Sequence, residues 1–257
     1  MYRISFILTC VALLAGCICE SGSGVLVTES RSIGSVDALR IDVPARVTLT
    51  DGKPGVLEIT TDDNLIDLVT TDVRNGRLSI DTEDECCIEP TELSITLSAA
   101  SVAAIHIGGS ADVVIDQRLT AADVALSIDG SGSVRTNVPV VADGVELDID
   151  GSGRMDLQVD VADLTSTIDG SGTHVLAGMA TTHTIDVDGS GSVRAFELDT
   201  RATRVNIDGS GNCEVTATDE LGVDIDGSGD VRYCGNPALQ QRIDGSGSIA
   251  TGSCSQQ

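Results

Sequence analysis

Apolar and polar residues alternate through most of this chain, and short glycine-containing segments separate the alternating runs. Within residues 145–159, apolar side chains occupy positions 145, 147 and 149, and after a Gly-Ser-Gly segment they occupy 155, 157 and 159. A period of two is typical of a β-strand with one buried face. Glycine at two places between the strands permits a tight turn. The pattern predicts at least two strands per repeat and leaves no room for a helix of useful length.

The tetrapeptide Asp-Gly-Ser-Gly divides the second half of the chain into repeats. Successive copies begin 21, 19, 19, 20, 18 and 18 residues apart, and a degenerate copy begins at Gly108. A period near 20 is typical of a solenoid, in which each unit buries its apolar face against its neighbours. We predict an all-β fold, a single-chain right-handed parallel β-helix with coils of about 18–21 residues, because crossovers between parallel strands are right-handed. The seven copies begin at Asp129, Asp150, Asp169, Asp188, Asp208, Asp226 and Asp244.

The same spacing predicts two interior columns of stacked side chains, one before and one after the turn. The first contains Ile128, Ile149, Ile168, Val187, Ile207, Ile225 and Ile243. The second contains Val134, Met155, Val193, Cys213, Val231 and Ile249.

The repeats define five segments. We assign a signal peptide to residues 1–16, a lipidated tether to 17–29, an N-terminal β cap with irregular first coils to 30–107, the solenoid to 108–250 and a tail to 251–257. A cap is expected because the end of a solenoid is an open strand edge. Within the cap, residues 62–69 could form one short helix.

The N-terminus has the pattern of a lipoprotein leader. Arg3 precedes an apolar run over residues 4–14, which is too short to span a bilayer, and Leu-Ala-Gly-Cys ends at Cys17. This lipobox predicts cleavage before Cys17, acylation of its thiol and a location in the bacterial cell envelope, lipid-anchored at the outer membrane, on its periplasmic or exposed side. Residues 21–24 then form a flexible tether. The alternative is an ordinary secretory signal.

Export permits disulfides, so each remaining cysteine needs its own interpretation. Cys234 and Cys254 are one coil apart and are the predicted disulfide. Cys86 and Cys87 could bond to each other or pair elsewhere, and their connectivity and that of Cys19 cannot be deduced from spacing. Cys213 occupies an interior position and is interpreted as a small buried hydrophobe. No catalytic residue and no zinc site is predicted, since the three histidines are scattered.

The net charge and the composition argue against two classes of binding partner. The net charge is −25, which excludes nucleic acid because its binding needs clustered cations. Aromatic residues make up 2% of the chain, which argues against an aromatic platform for stacking on sugars.

The repeated aspartates at the turns have two interpretations. In the structural one, each carboxylate accepts the backbone N–H groups of the following Ser and Gly as an Asx-turn. In the functional one, the column binds Ca²⁺ as a cofactor, through Asp129, Asp150, Asp169, Asp188, Asp208, Asp226 and Asp244. Arg135, Arg194 and Arg232 follow three of the turns and are expected to offset part of the charge.

Several motifs together resemble the GIN domain of auto-transporter adhesin heads. They are residues 33–39, 47–52, 62–65 and 76–78, followed by the Gly-Ser-Gly turns, and the resemblance covers about 30–250. It implies a parallel β-helix on an exported, often lipid-anchored bacterial protein. It supplies no catalytic residues.

We therefore expect a non-enzymatic cell-envelope lipoprotein, an adhesion, binding or structural module that presents an acidic repetitive surface. Its partners are the membrane, through the N-terminal lipid, and an unidentified protein or glycan. Two alternatives are a β-helix polysaccharide lyase or hydrolase, since this fold hosts such enzymes, and a Ca²⁺-binding repeat protein. The lyase is disfavoured because every coil repeats the same carboxylates, so no single catalytic group stands out.

Overall fold

The computed structural model describes residues 19–83 and 87–252, and these residues form twenty-one β-strands and no α-helix. Within this part of the chain, no helix is long and apolar enough to cross a membrane. The strands of the N-terminal part are β1 (Glu20–Ser21), β2 (Leu26–Ser32), β3 (Ala38–Ile41), β4 (Arg46–Thr50), β5 (Val56–Asp62), β6 (Val69–Arg74), β7 (Arg77–Thr82), β8 (Ile88–Glu89), β9 (Ser94–Leu97), β10 (Ala104–Ile107) and β11 (Asp112–Asp116). The repeats form β12 (Asp123–Gly130), β13 (Ser133–Thr136), β14 (Val140–Gly151), β15 (Arg154–Gly170), β16 (Thr173–Gly189), β17 (Ser192–Gly209), β18 (Asn212–Gly227), β19 (Asp230–Cys234), β20 (Ala238–Gly245) and β21 (Ser248–Thr251).

The coils stack in parallel as a β-solenoid of about eight turns, which confirms the predicted architecture. The first predicted column is also confirmed, because each of its members lies in register with the next. The column extends beyond Ile128 through Ile107, Ile41 and Ile80, which makes ten residues. All are buried except Ile243, in the last coil, which is 39% exposed. From Ile80 to Ile225, the stacked aliphatic side chains exclude water from the interior.

The second predicted column is confirmed with one addition. His174 stands between Met155 and Val193, in register with both. The prediction missed it because a histidine breaks the apolar pattern, although His174 follows Gly172 at the same distance as Met155 follows Gly153.

The cap is assembled out of sequence order. The first rung consists of β7 and β9, the second of β3 and β4, and the third of β10 and β11. Beyond the first rung, β6 pairs with β7 and β5 pairs with β9, both antiparallel, and β2 adds to β5. These antiparallel strands cover the end of the solenoid, as an open parallel edge requires.

Two expectations for the cap are wrong. Residues 63–68, inside the expected short helix, form hydrogen-bonded turns, in which the amides of Leu65 and Ile66 both donate to the carbonyl of Asp62. Residues 20–29 are not a free tether, because Glu20–Ser21 and Leu26–Ser32 are strands of the cap. The ordered cap therefore begins well before residue 30.

The turns of the repeat depend on glycine for a specific reason. The first glycine of each Asp-Gly-Ser-Gly has a positive φ, 114° at Gly170, and its backbone approaches the preceding coil. A Cβ at Gly170 would lie 2.7 Å from the carbonyl oxygen of Gly151, far inside contact distance. The obstacle is backbone that belongs to the stack, so it cannot move aside.

We predict that Gly170→Ala destabilises the solenoid by about 2 kcal/mol or more, because both the positive φ and the backbone contact oppose a side chain. Gly222→Ala is the matched control: a Cβ there meets nothing nearer than the Cγ of Arg204, at 4.0 Å. Equilibrium denaturation should show the control within about 0.5 kcal/mol of the parent chain. Equal losses in the two variants would contradict the proposed role of the turn.

Candidate functional site: the acidic turn face

The outward side chains before the turns form two columns on one face of the solenoid, which we call the acidic turn face. Parallel register stacks the seven turn aspartates directly above one another, from Asp129 to Asp244. Because the side chains of a strand alternate, the residues two places earlier make a second outward column. That column contains Ser127, Asp148, Thr167, Asp186, Asn206, Asp224 and Arg242.

The serine amides of the turns do not bond as the Asx-turn interpretation predicted. Ser152 donates its N–H to the carbonyl of Gly130 at 2.8 Å, and Ser171 donates to Gly151 at the same distance. The same bond to the preceding coil recurs at every later turn, through Ser246. The turns are thus rungs of the backbone ladder, and the aspartate side chains are left to face solvent.

Stacked carboxylates repel one another at the spacing of a β-ladder. Asp148, in the second column, shows the effect: its partial burial raises its pKa above the ordinary value, and the charges of Asp129, Glu146, Asp150 and Asp169 raise it further.

Polar and cationic neighbours offset this repulsion at a few points. Arg242 in the last coil lies 2.9 Å from a carboxylate oxygen of Asp224 and 3.5 Å from one of Asp244. The amide of Asn206 donates to Asp186 at 2.6 Å. A groove follows this part of the face, lined by Asp169, Asp186, Asp188, Asp208, Asp226 and Arg242 among others.

The arginines that follow the turns do not neutralise the aspartate column. They stand in the strand after the turn, where Arg232 pairs with Glu214 at 2.6 Å and register places Arg135 beside Asp156. The turn face therefore keeps most of its negative charge.

The calcium hypothesis has no support from a preformed cage. Among residues 19–83 and 87–252, no three His, Cys, Asp or Glu side chains are grouped to hold a metal ion. The turn aspartates are spread one per rung, whereas Ca²⁺ takes six to eight oxygens. Calcium binding by this column stays a prediction.

The structure tests the interpretation of some cysteines, and others lie outside the described residues. Cys213 is buried in the second column, which confirms its interpretation as a hydrophobe, and burial raises the pKa of its thiol to about 12. Cys19 is disulfide-bonded to Cys87, a pairing that spacing alone left open. Cys234 takes part in a disulfide, but its predicted partner Cys254, like the predicted lipid site Cys17, lies outside the described residues.

The interior holds a polar cluster that sequence reasoning missed. Its residues are Ser166, His174, His183, Thr200 and Thr203, each at most 4% exposed. Ser166 and the Nε2 of His183 are 2.9 Å apart, and the hydroxyls of Thr200 and Thr203 are 2.6 Å apart. The Nδ1 of His183 and both ring nitrogens of His174 have no hydrogen-bond partner within the described part of the chain.

Burial holds both imidazoles in their neutral form. Desolvation lowers the pKa of His174 to about 3 and that of His183 likewise, where His174 adds a smaller repulsive contribution. In the unfolded chain both rings have ordinary pKa values near 6.5. Unfolding below that pH therefore takes up protons, so the stability that is present above about pH 6.5 is lost as the pH falls.

We predict that the parent chain becomes less stable between pH 7 and pH 5 and that His174→Val makes this decline shallower, because Val matches the neighbours of the column and takes up no proton. Chemical denaturation at several pH values measures the slope. The control is Cys213→Val, which makes the same kind of replacement in the same buried column and should keep the parent slope, because burial raises the pKa of the thiol to about 12 and it takes up no proton in this range. A His174→Val chain with an unchanged slope would show that the buried ring does not govern the acid response.

Comparison with known proteins places this geometry in a family. A family model described as "Putative auto-transporter adhesin, head GIN domain" matches residues 36–237. No curated protein matches the chain.

Solved structures of several bacterial proteins share the fold over nearly their whole length. A "putative adhesin" from Parabacteroides merdae ATCC 43184 has a TM-score of 0.86 at 24% identity, covering 91% of this chain and 98% of that one. A "putative lipid binding protein" from Parabacteroides distasonis ATCC 8503 has a TM-score of 0.85 at 28% identity, covering 91% and 99%. A "putative adhesin" from Bacteroides fragilis NCTC 9343 has a TM-score of 0.70 at 21% identity, covering 90% and 99%. With the family model spanning most of its length, this chain belongs to the auto-transporter adhesin head GIN domain family.

Proposed function

We propose that this protein is a non-enzymatic binding module of the bacterial cell envelope, held at the membrane by a lipid on Cys17, that binds its partner along the acidic turn face. The observation that carries the proposal is the register of the coils, which repeats the same outward side chains at every rung. Repetition of this kind gives an extended surface rather than one pocket.

The charge of the face defines the class of partner. Aspartates at adjacent rungs favour a partner with cationic or hydrogen-bond-donating groups along an extended chain, such as a basic protein segment or an amino-sugar polymer. Polyanions are repelled by the same charge. The adhesin names of family and structural relatives agree with binding rather than catalysis.

The arrangement of the carboxylates gives little support to the alternative of a polysaccharide-cleaving enzyme. A glycoside hydrolase needs two carboxyl groups with different environments, one of them with a raised pKa. Asp148 has a raised pKa, but its neighbours Asp129, Asp150 and Asp169 belong to the column that recurs in every repeat.

One structural relative is called a lipid binding protein, which raises the question of whether this chain could hold a lipid in its interior. In this chain the space between the sheets is filled by stacked aliphatic side chains such as Ile149, Leu147 and Met155, which are fully buried. An acyl chain would have to displace that core. We therefore propose lipid contact only through the N-terminal anchor.

The binding face is tested by the triple variant Asp169→Asn, Asp188→Asn and Asp208→Asn. Binding of the full chain to an immobilised amino-sugar polymer and to a basic peptide, measured by biolayer interferometry, should weaken several-fold and depend less on salt concentration, because three neighbouring charges of the groove are removed.

The matched control replaces Asp143, Asp160 and Asp199 by Asn, which removes the same charge from exposed positions outside the turn face. This control should bind as the parent does. Equal weakening in both triple variants would show that binding depends on the net charge of the protein and not on the turn face. Unchanged binding in the first variant would show that the partner does not bind along the turn face.

A further inference from the structure

The N-terminal segment is clamped to the cap over its first residues. Cys19 is disulfide-bonded to Cys87, and β1 continues from it as a parallel partner of β8. The amide of Glu20 donates to the carbonyl of Cys87 at 2.9 Å, and that of Gly22 donates to Glu89 at 3.0 Å. A covalent bond and a short ladder thus hold the same two segments together.

A buried carboxylate extends the clamp. Asp62 is fully buried, and its two oxygens accept the amides of Gly24 and Thr91, each at 2.7 Å. Burial acts to raise the pKa of Asp62, but the hydrogen bonds from Thr91 and Gly24 outweigh it and lower that pKa. The amide of Ser23 also donates to the side chain of Asn64, at 2.9 Å. Residues 19–24 therefore have a fixed position at the cap.

The clamp lies at one end of the solenoid. Cys87 stands between β7 and β9, the strands of the first rung, whereas β20 and β21 form the last coil. The ten residues of the column from Ile80 to Ile243 are separated by nine rung spacings, about 43 Å at 4.8 Å per spacing.

The predicted lipid site is only two residues before this clamp, so Cys17 reaches at most about 7 Å from Cys19. We infer that the Cys19–Cys87 disulfide makes the lipid anchor a short mount, which holds the cap end of the solenoid at the bilayer surface and makes the last coil the membrane-distal end. This inference rests on the lipid attachment proposed above. Without the disulfide, only the short β1–β8 ladder and the hydrogen bonds to Asp62 and Asn64 hold this segment, and once they open residues 17–25 could extend to about 28 Å and act as a tether.

The negative charge of the protein also favours an orientation in which only the cap end lies at the membrane. The chain carries a net charge of −25, and the acidic turn face runs along the axis rather than around one end. An anionic bilayer repels such a surface, which disfavours a solenoid lying flat on the membrane. A short mount at one end together with repulsion along the side keeps the binding face away from the lipid.

The test uses amine labelling, because Lys53 is the only lysine of the chain and lies exposed in the turn between β4 and β5, near the first rungs. A donor on Lys53 marks the cap end. A donor on Gln240→Lys in a Lys53→Arg chain marks the exposed far end. The lipidated full chain is placed in anionic vesicles with acceptor-labelled headgroups, and intact mass spectrometry confirms the lipid on Cys17. Energy transfer should be several-fold more efficient from the cap end.

Two variants distinguish a mount from a tether. In the double variant Cys19→Ser, Cys87→Ser, and in a chain with Gly-Ser-Gly-Ser inserted before Cys19, the difference between the two donors should shrink markedly. The insertion keeps the disulfide and the fold, so the test does not depend on the double variant folding. Equal transfer from both ends of the parent chain, or a difference that neither variant reduces, would overturn the inference.

The lipid attachment at Cys17 and the short mount at the cap end can be refuted independently of each other. Absence of lipid on Cys17 in the intact mass refutes the proposed attachment. The mount is then tested on a chain in which hexahistidine replaces residues 1–17, bound to nickel-chelating vesicles. Because the tag is about as long as the insertion, a smaller difference of the same sign is expected, and equal transfer from both ends refutes the mount.

Discussion

The structure depends on the close approach of backbone to backbone at the Asp-Gly-Ser-Gly turns. At each turn the serine amide donates to a glycine carbonyl of the preceding coil, and the neighbouring glycines have no side chain that could hold the coils apart. This contact fixes the register. Once the register is fixed, isoleucine stacks on isoleucine inside and aspartate on aspartate outside, so the hydrophobic core and the charged face have the same origin.

The aliphatic column and the aspartate column have opposite effects on the stability of the fold. Burial of an aliphatic column stabilises every rung, whereas the aspartate column destabilises it through repulsion at the ladder spacing. The chain relieves this repulsion only locally, with Asn206 beside Asp186 and Arg242 beside Asp224. A costly column repeated at seven turns is consistent with a face kept for binding.

Much of the solenoid could be predicted because its information is local and repeated. The period near 20 and the alternation within each coil were sufficient to place Ile149 over Ile128 and Met155 over Val134. The cap could not be predicted in the same way, because β3 lies between β7 and β10 and this order depends on contacts that no repeat encodes. Likewise the Cys19–Cys87 bond joins residues 68 positions apart, and spacing does not reveal such a pair. His174 and His183 had a signal, since both occupy inward positions of the repeat, but their chemistry argued against burial.

The most direct test of the account is amide hydrogen exchange at the turn serines Ser152, Ser171 and Ser190, followed residue by residue by NMR. Their side chains face solvent, but their amides bond to the preceding coil. We expect these amides to be as strongly protected as those of the adjoining strands. Exchange at the rate of an open loop, with the strands still protected, would contradict the claim that the turns hold the coils in register.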